Sequence, residues 1–232
     1  MTQKLIAYKS NALIEASYKL TLQEQRLLLM CIGQLNPQDE TPQKAFQITS
    51  GDFYQAFPDV GRKHAEERLQ EAIDRLWERT IFISQKNEKR EIRWIQERAK
   101  YFTGEGRIEI IFADSIMPYL TQLQGQFTKI IIKNVSALKR TYSIRIYELL
   151  MQFKSIGDRI MDINDFRSML GLDDKYCDFK ILNRAVIKPA IKELNEKSDL
   201  AVTVDTVKQG RKVVALHFRF TEDKQIKMAI GK

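Results

Sequence analysis

One short pattern occurs twice in this chain of 232 residues, and its two copies lie 118 positions apart. The pattern Ala-Ile-x-x-Leu-x-Glu occupies residues 72–78 and again residues 190–196. Upstream of each copy, the dipeptide Asp-Phe occurs at residues 52–53 and at residues 165–166. Matches that keep their order and nearly keep their spacing predict an internal duplication of one structural unit.

Both copies are predicted to pass through three helices into a β-hairpin. Thr21 and Glu24 form a capping-box sequence before the first helix, and Asn36-Pro37 ends that helix. Apolar residues at helical spacing predict helices over residues 22–35, 50–57 and 62–79, and then over residues 142–153, 164–170 and 179–197. The sequence therefore predicts an α+β fold in which a helix–helix–helix–hairpin unit occurs twice through internal duplication.

The predicted helix over residues 179–197 is amphipathic. Its apolar side, at about 100° per residue, comprises Phe179, Leu182, Val186, Ala190 and Leu194. A basic row at i, i+4 spacing comprises Lys180, Arg184, Lys188 and Lys192. Pro189 lacks an amide hydrogen and crowds the preceding turn, so we expect a kink or a fresh start near Lys188. Two predicted strands follow, and a basic helix before a basic hairpin is typical of a winged-helix DNA reader.

Charge is divided unevenly along the chain. Lys and Arg number 38 and Asp and Glu number 30, which gives a formal net charge of +8. Residues 1–124 contain 17 of each kind, so the whole excess lies in residues 125–232. Gly125 marks the predicted junction between a first domain over residues 1–124 and a second over residues 125–232. A basic half predicts a polyanionic partner, most commonly nucleic acid.

Several classes of protein are disfavoured. No apolar run approaches the ~18 residues of a membrane span, no interfacial helix or secretory signal is evident, and two cysteines make no disulfide framework. There is no G-x-x-x-x-G-K-[ST] loop, and His64 and His217 lack metal-site spacing. We therefore predict a cytoplasmic binding protein with no catalytic residues, no cofactor and no metal.

Several segments resemble the plasmid replication initiators of the Rep type, an iteron-binding family. S-N-A-L-I-E-A-S-Y-K-L-T at residues 10–21, followed by E-Q-R-L, is similar to the opening of that family. Phe127-Thr128 and R-I-Y-E-L-L at residues 145–150 resemble the beginning of its second domain. K-E-L-N at residues 192–195 and Gly210-Arg211 resemble its recognition helix and wing. The resemblance covers nearly the whole chain.

This resemblance implies tandem winged-helix domains that bind directly repeated origin sequences, called iterons. It implies an initiating monomer in the bacterial cytoplasm, and a homodimer, joined through the N-terminal domain, that binds an operator and represses its own gene. It further implies a non-enzymatic role: the protein helps to open the origin and recruits host replication proteins, including the replicative helicase.

Carried onto this sequence, the resemblance makes residues 179–197 the recognition helix of the principal DNA reader. Arg184 can read guanine and Asn183 can read adenine, although the angle of Asn183 places it near the apolar side. Lys188 and Lys192 are expected to contact phosphate, and Gly210 allows the turn of the wing. The predicted contacts of this domain are Lys175, Tyr176, Lys180, Asn183, Arg184, Lys188, Lys192, Lys208, Arg211 and Lys212.

The first domain is expected to contribute auxiliary DNA contacts and dimerisation. Its equivalent helix, over residues 62–79, carries acidic side chains along its length, which would repel phosphate. Contacts are therefore predicted only from the start of that helix and from the following hairpin: Arg62, Lys63, Arg68, Lys89 and Arg90, with Lys86 and Arg93 beside them.

Two other functions remain open. A transcriptional repressor would use the same domains on an inverted repeat, and protein sequence alone does not separate it from an initiator. An RNA-binding module would usually expose aromatic residues on a sheet or carry a glycine-rich clamp, whereas the aromatic residues here mostly follow core periodicity.

Overall fold

Side-chain caps decide where the first helices begin. In the computed structural model, the Ser10 hydroxyl accepts a hydrogen bond from the Leu13 amide at 3.2 Å. The Thr21 hydroxyl accepts from the Glu24 amide at 3.4 Å, and the Glu24 carboxylate accepts from the Thr21 amide in return, so the capping box is confirmed. The structure describes residues 5–39, 41–85, 87–101, 104–121, 123, 125–172 and 175–222.

The first of two compact units comprises Met1–Ser136. Its elements are β1 (Ile6–Ser10), α1 (Asn11–Glu15), β2 (Ser17–Tyr18), α2 (Leu22–Ile32), β3 (Ala45–Thr49), α3 (Ser50–Ala56), α4 (Ala65–Trp77), β4 (Thr80–Gln85), β5 (Glu88–Arg93), β6 (Ile95–Lys100), β7 (Arg107–Phe112), β8 (Phe127–Ile131) and α5 (Ile132–Val135). Short 3₁₀ turns cover Pro58–Val60, Arg62–His64 and Met117–Tyr119. The strands form antiparallel sheets in the orders β1-β8, β2-β4-β5 and β3-β7-β6.

The second unit comprises Ala137–Lys232. Its elements are α6 (Thr141–Met151), β9 (Asp158–Asp162), α7 (Ile163–Met169), α8 (Phe179–Leu182), a π-helical turn (Asn183–Ile187), α9 (Lys188–Lys197), β10 (Leu200–Gln209) and β11 (Lys212–Glu222). The strands form one antiparallel sheet in the order β10-β11-β9. Among the described residues, no helix is long and apolar enough to cross a bilayer.

The order of elements repeats, as the duplicated pattern predicts. Helices α2 and α6 have 11 residues each, strands β3 and β9 have 5, and helices α3 and α7 have 7. A third helix and a hairpin complete each copy, which is the winged-helix arrangement. The copies differ in how the strand after the first helix pairs: β9 joins the hairpin strand β11, whereas β3 joins β7 of an additional hairpin.

Each third helix buries the face that its periodicity predicts. On α4, Leu69, Ile73 and Leu76 are buried against the rest of the first unit. The same unit buries the Trp94 ring, which lies edge-on to Tyr18 with centroids 5.2 Å apart. These apolar side chains are removed from water in register with the helix, and such burial supplies most of the stability of a short helix.

The boundary between the units differs from the one predicted at Gly125. Strand β8, expected to open the second domain, pairs with β1 over its full length, from Ile6↔Ile131 to Ser10↔Phe127. Helix α5 follows directly and buries Val135 in the first unit. The junction was predicted from a glycine and a change in charge, but the partner of a strand is not encoded next to it in sequence.

We expect an N-terminal fragment that ends at Gln124 to be far less stable than one that ends at Ser136. The shorter fragment loses the partner of β1 and the burial of Ile130, Ile132 and Val135, which together contribute roughly 5 kcal/mol. Urea unfolding of both fragments measures the difference. As a control, a C-terminal fragment that begins at residue 125 should be no more stable than one that begins at residue 137. Equal stability of the two N-terminal fragments would contradict this division.

Candidate nucleic-acid interface

The basic helix over residues 179–197 is interrupted in the middle by one wide turn. It begins at Asp178, whose carboxylate accepts the Ile181 amide at 3.1 Å. At the π-helical turn, the Lys188 amide reaches back to the Asn183 carbonyl. Pro189 then lies in the first turn of α9, where it needs no amide hydrogen. The fresh start expected near Lys188 is therefore confirmed.

The two sides of this helix separate as predicted. The apolar residues Leu182, Val186, Ala190 and Leu194 are buried, and Phe179 is half-buried. The basic row is exposed; it comprises Lys180, Arg184, Lys188 and Lys192. Only Lys192 of this row has an ion-pair partner within the described part of the chain, Glu196 at 3.8 Å. The row therefore presents positive charge that neighbouring carboxylates leave largely uncompensated.

Asn183 and the residues before the helix occupy more constrained positions. Asn183 is half-buried, in agreement with its angle. Tyr176 has a backbone φ of 55°, a left-handed conformation that is rare for residues other than glycine. The Arg167 guanidinium donates to the carbonyls of Tyr176, Leu172 (3.2 Å) and Lys175 (2.6 Å). Sequence reasoning missed Arg167, because its partners are backbone carbonyls that leave no pattern.

The predicted wing is a hairpin with a two-residue turn. Gln209 pairs with Lys212, and Gly210 between them has a φ of 59°, as the first position of a type II′ turn requires. A β-bulge lies between Val207 and Lys208, and bulges increase the twist of a hairpin. The cations at the tip are exposed and form no ion pair with any described residue: Lys208, Arg211 and Lys212.

Glu193 anchors the basic helix to the start of α6. Its carboxylate is only 5% exposed and accepts the Lys139 amide at 3.0 Å, the Arg140 amide at 3.1 Å and the Ser143 hydroxyl at 2.6 Å. Burial alone would raise the pKa of Glu193, but the hydrogen bonds from Ser143, Lys139 and Arg140, together with the Lys197 charge, lower it. The charged form is therefore the one that holds the helix in place.

Asn195 forms a second anchor, to the wing. Its side-chain amide accepts the Val202 amide at 2.6 Å and donates to the Val202 carbonyl at 3.0 Å. In the segment K-E-L-N, which resembles part of a recognition helix, the Glu and the Asn therefore make contacts inside the unit. These two contacts set the position of the basic row relative to the wing.

The segment R-I-Y-E-L-L on α6 has a similar internal role. Arg145 and Glu148 are both buried and pair at 2.5 Å, and Arg145 also donates to the Met169 carbonyl at 3.0 Å. The Tyr147 hydroxyl contacts the Asp199 carboxylate at 2.8 Å. Buried charges need such partners, so these polar residues are required by the fold itself.

In the first unit, more of the predicted contact residues already interact with other side chains or carbonyls of the unit than in the second. Arg62 and Lys63 are exposed on the 3₁₀ turn before α4. Arg68 pairs with Glu71 at 3.0 Å, Arg90 pairs with Glu88 at 2.6 Å, and Lys89 lies 4.8 Å from the centre of the Phe82 ring. Arg93 donates to the Trp77 carbonyl at 3.2 Å, and Lys86 lies outside the described residues.

The acidic residues of α4 also have internal partners. Asp74 accepts hydrogen bonds from Arg98 at 2.7 Å and from Lys100 at 2.9 Å, which ties α4 to strand β6. Glu66 accepts the Gly104 amide at 2.9 Å. The helix that corresponds to the basic one therefore uses its charges within the unit. In the described ranges, no three His, Cys, Asp or Glu side chains are grouped closely enough to hold a metal ion.

Comparison with known proteins assigns the chain to a family. The model described as "Initiator Replication protein, WH1" matches residues 6–151, and the model described as "Initiator Rep protein, WH2" matches residues 162–220. The chain belongs to the initiator replication protein family. The resemblance noted in the sequence, and the two winged-helix domains expected from it, are confirmed.

Individual relatives agree with this assignment. A replication initiation protein of Escherichia coli is 34% identical over 231 residues, which cover 96% of this chain and 72% of that protein. The PI protein of Escherichia coli is 29% identical over 150 residues, which cover 57% of this chain and 48% of that protein. A crystal structure of Pi initiator protein in complex with iteron DNA has the same fold: its TM-score is 0.82 at 22% identity, with 97% of this chain and 100% of that chain covered.

We expect replacement of Glu193 by Gln to lower the free energy of unfolding by about 2 kcal/mol at pH 7, because a buried charge-assisted hydrogen-bond set is weakened. Chemical unfolding measures the change. Since the pKa is lowered in the folded state, the stabilisation is present above the ordinary carboxyl pKa of about 4.3 and is lost as the pH falls through the folded value. The difference between the two proteins should therefore shrink in acid.

The matched control for this prediction is Glu196→Gln. Glu196 is an exposed glutamate on the same helix, whose only ion pair among the described residues is the 3.8 Å contact with Lys192. Its replacement should change stability by less than about 0.5 kcal/mol. Equal effects of the two substitutions would show that Glu193 anchors nothing.

Proposed function

We propose that this protein is a sequence-specific, double-stranded DNA-binding plasmid replication initiator that binds origin iterons. The observation that carries the proposal is the exposed, largely uncompensated basic row on the third helix of the second winged-helix unit. Membership of the initiator family supports it, and a protein of the same fold has been crystallised with iteron DNA.

In the proposed complex, the basic helix enters the major groove, which is wide enough for a helix. Arg184 donates two hydrogen bonds to guanine, and Asn183 reads adenine from the edge of the contact. Phosphates are contacted by the remaining cations of the helix, by the residues before it and by the wing: Lys175, Tyr176, Lys180, Lys188, Lys192, Lys208, Arg211 and Lys212.

The first unit has a second role in this proposal. Residues 1–124 contain equal numbers of basic and acidic residues, and several of these pair with one another, which supports dimerisation through this unit and only auxiliary DNA contact. The auxiliary contacts are Arg62, Lys63, Arg68, Lys89 and Arg90. The monomer is the initiating form, and a dimer that represses its own gene would bind an inverted repeat.

The proposed activity is not enzymatic. Because the sequence contains no P-loop, energy for unwinding comes from host proteins. The bound initiator promotes opening of the origin in the bacterial cytoplasm and recruits the host initiator proteins and replicative helicase.

Footprinting on the plasmid's own origin region tests this function. At low protein concentration, protection should appear over direct repeats; at higher concentration, it should also appear over an inverted repeat near the gene. Protection of the inverted repeat alone would favour a repressor, and uniform protection of all DNA would contradict sequence-specific binding.

We expect Arg184→Ala to cost roughly 1–3 kcal/mol of binding free energy on the iteron and to relax sequence preference, because a bidentate contact to guanine is lost. Arg184→Lys is the matched control: it keeps the charge, so binding to random DNA should be retained while preference still falls. Fluorescence anisotropy with both duplexes measures these changes. Equal losses on iteron and random DNA would contradict base reading by Arg184.

We expect Lys212→Ala to weaken binding to iteron and random duplexes alike and to flatten the slope of log K against log salt by about 0.9, because one phosphate contact is lost. Gln209→Ala is the control, since Gln209 pairs across the turn with Lys212 but carries no charge. An unchanged slope for the Lys212 variant would remove the wing contact from the proposal.

A further inference from the structure

A cleft of about 720 Å³ lies beside the first turns of α9, on the second unit. Its lining includes five cations: Lys139, Arg140, Lys188, Lys192 and Lys197. Glu193 and Glu196 also line it, which leaves a net charge of +3. Lys139 and Arg140 belong to no segment that the sequence marked as a contact, and both are exposed.

The two carboxylates leave three of the five cations in this cleft without an ion-pair partner among the described residues. Glu193 is occupied by the backbone amides of Lys139 and Arg140 and by the Ser143 hydroxyl, with Lys197 at 3.4 Å. Glu196 lies 3.8 Å from Lys192. The side chains of Lys139, Arg140 and Lys188 have no ion-pair partner in the portion of the chain described. Three cations therefore converge on one concavity with no carboxylate of their own.

Phosphate is the anion that this arrangement suits. Arginine binds phosphate oxygens through its planar fork and lysine binds them as a point charge, so the two together grip several oxygens of one group. Lys188 and Lys192 belong both to this cleft and to the exposed basic row. A duplex whose major groove accepts that row carries its backbone phosphates along the groove edge, beside the cleft.

We propose that this cleft binds a backbone phosphate of the duplex, with Lys139 and Arg140 as direct contacts. Glu193 is the positioning residue, because its carboxylate holds the backbone of both cations against α9. The proposal rests on the proposed DNA-binding function and extends it to the segment before α6. It predicts that the recognition helix and this segment hold the duplex together.

The test uses the full chain with single substitutions Lys139→Ala and Arg140→Ala. Lys154→Ala is the matched control: Lys154 is an exposed lysine beyond the other end of α6, an 11-residue helix about 16 Å long. Each cleft variant should flatten the salt slope by about 0.9 on iteron and random duplexes alike, whereas the control should match the wild type. Thermal unfolding confirms that each variant folds, and Arg140→Gln replaces Arg140→Ala if it does not.

Duplexes with single neutral methylphosphonate linkages locate the contact. Scanning them against the wild type should identify one or two phosphates whose neutralisation weakens binding, and Arg140→Ala should be insensitive at those positions alone. Salt slopes of the cleft variants equal to that of Lys154→Ala would overturn the proposal.

Inorganic phosphate at constant ionic strength tests the other source of the same anion. Thermal stabilisation of the wild type but not of Arg140→Ala, with unchanged DNA salt slopes, would make the cleft a free-anion site and also overturn the proposal. Failure of the proposed function looks different, because the wild type would then not distinguish iteron from random DNA, whatever the slopes of the cleft variants.

Discussion

The position of the basic helix in the second unit depends on one buried carboxylate. Glu193 is the group that joins the basic helix to the start of α6, and it does so with a charge that burial opposes and hydrogen bonds stabilise. A surface row of lysines on a loosely packed helix would present no defined geometry to a duplex. Because Glu193 ties this helix to the start of α6 and Asn195 ties it to β10, the exposed cations have a fixed spacing relative to the wing. Precise contact with a ligand requires that neighbouring residues hold the contact residues in place.

The two units show how one architecture can use its charges differently. On α4, Asp74 draws Arg98 and Lys100 onto the helix, and Arg68 is paired with Glu71 on the helix itself. On the corresponding helix of the second unit, the buried acid Glu193 serves as an anchor, and Lys180, Arg184 and Lys188 have no carboxylate partner within the described ranges. The same fold can therefore hold charges in internal ties or present them to a polyanion. The excess of positive charge in the second half of the sequence reflects this difference.

The structure confirms predictions that rest on local sequence signals and departs from one that rests on a long-range strand pairing. Periodicity located the buried face of α4 and of the basic helix, and Pro189 located the fresh start at Lys188, because these signals act within one or two turns of chain. The partner of β8 was not recovered, since β1 lies more than a hundred residues away in sequence. The contacts of Arg167 and the proposed role of Lys139 and Arg140 were not predicted either. Arg167 bonds to backbone carbonyls, and the other two residues lie in an irregular segment before α6 that has no periodic pattern.

The amino-acid sequence by itself determined the duplicated order of elements, the amphipathic helices and the basic second half, because helix periodicity, caps and net charge are local or additive properties. It also contained the family segments K-E-L-N and R-I-Y-E-L-L, but it did not show which contacts their polar residues make. Only the tertiary structure decided that Glu193, Asn195, Arg145 and Glu148 find their partners inside the second unit. Burial and partner choice are pairwise properties of residues distant in sequence, so they are defined only once the chain has folded.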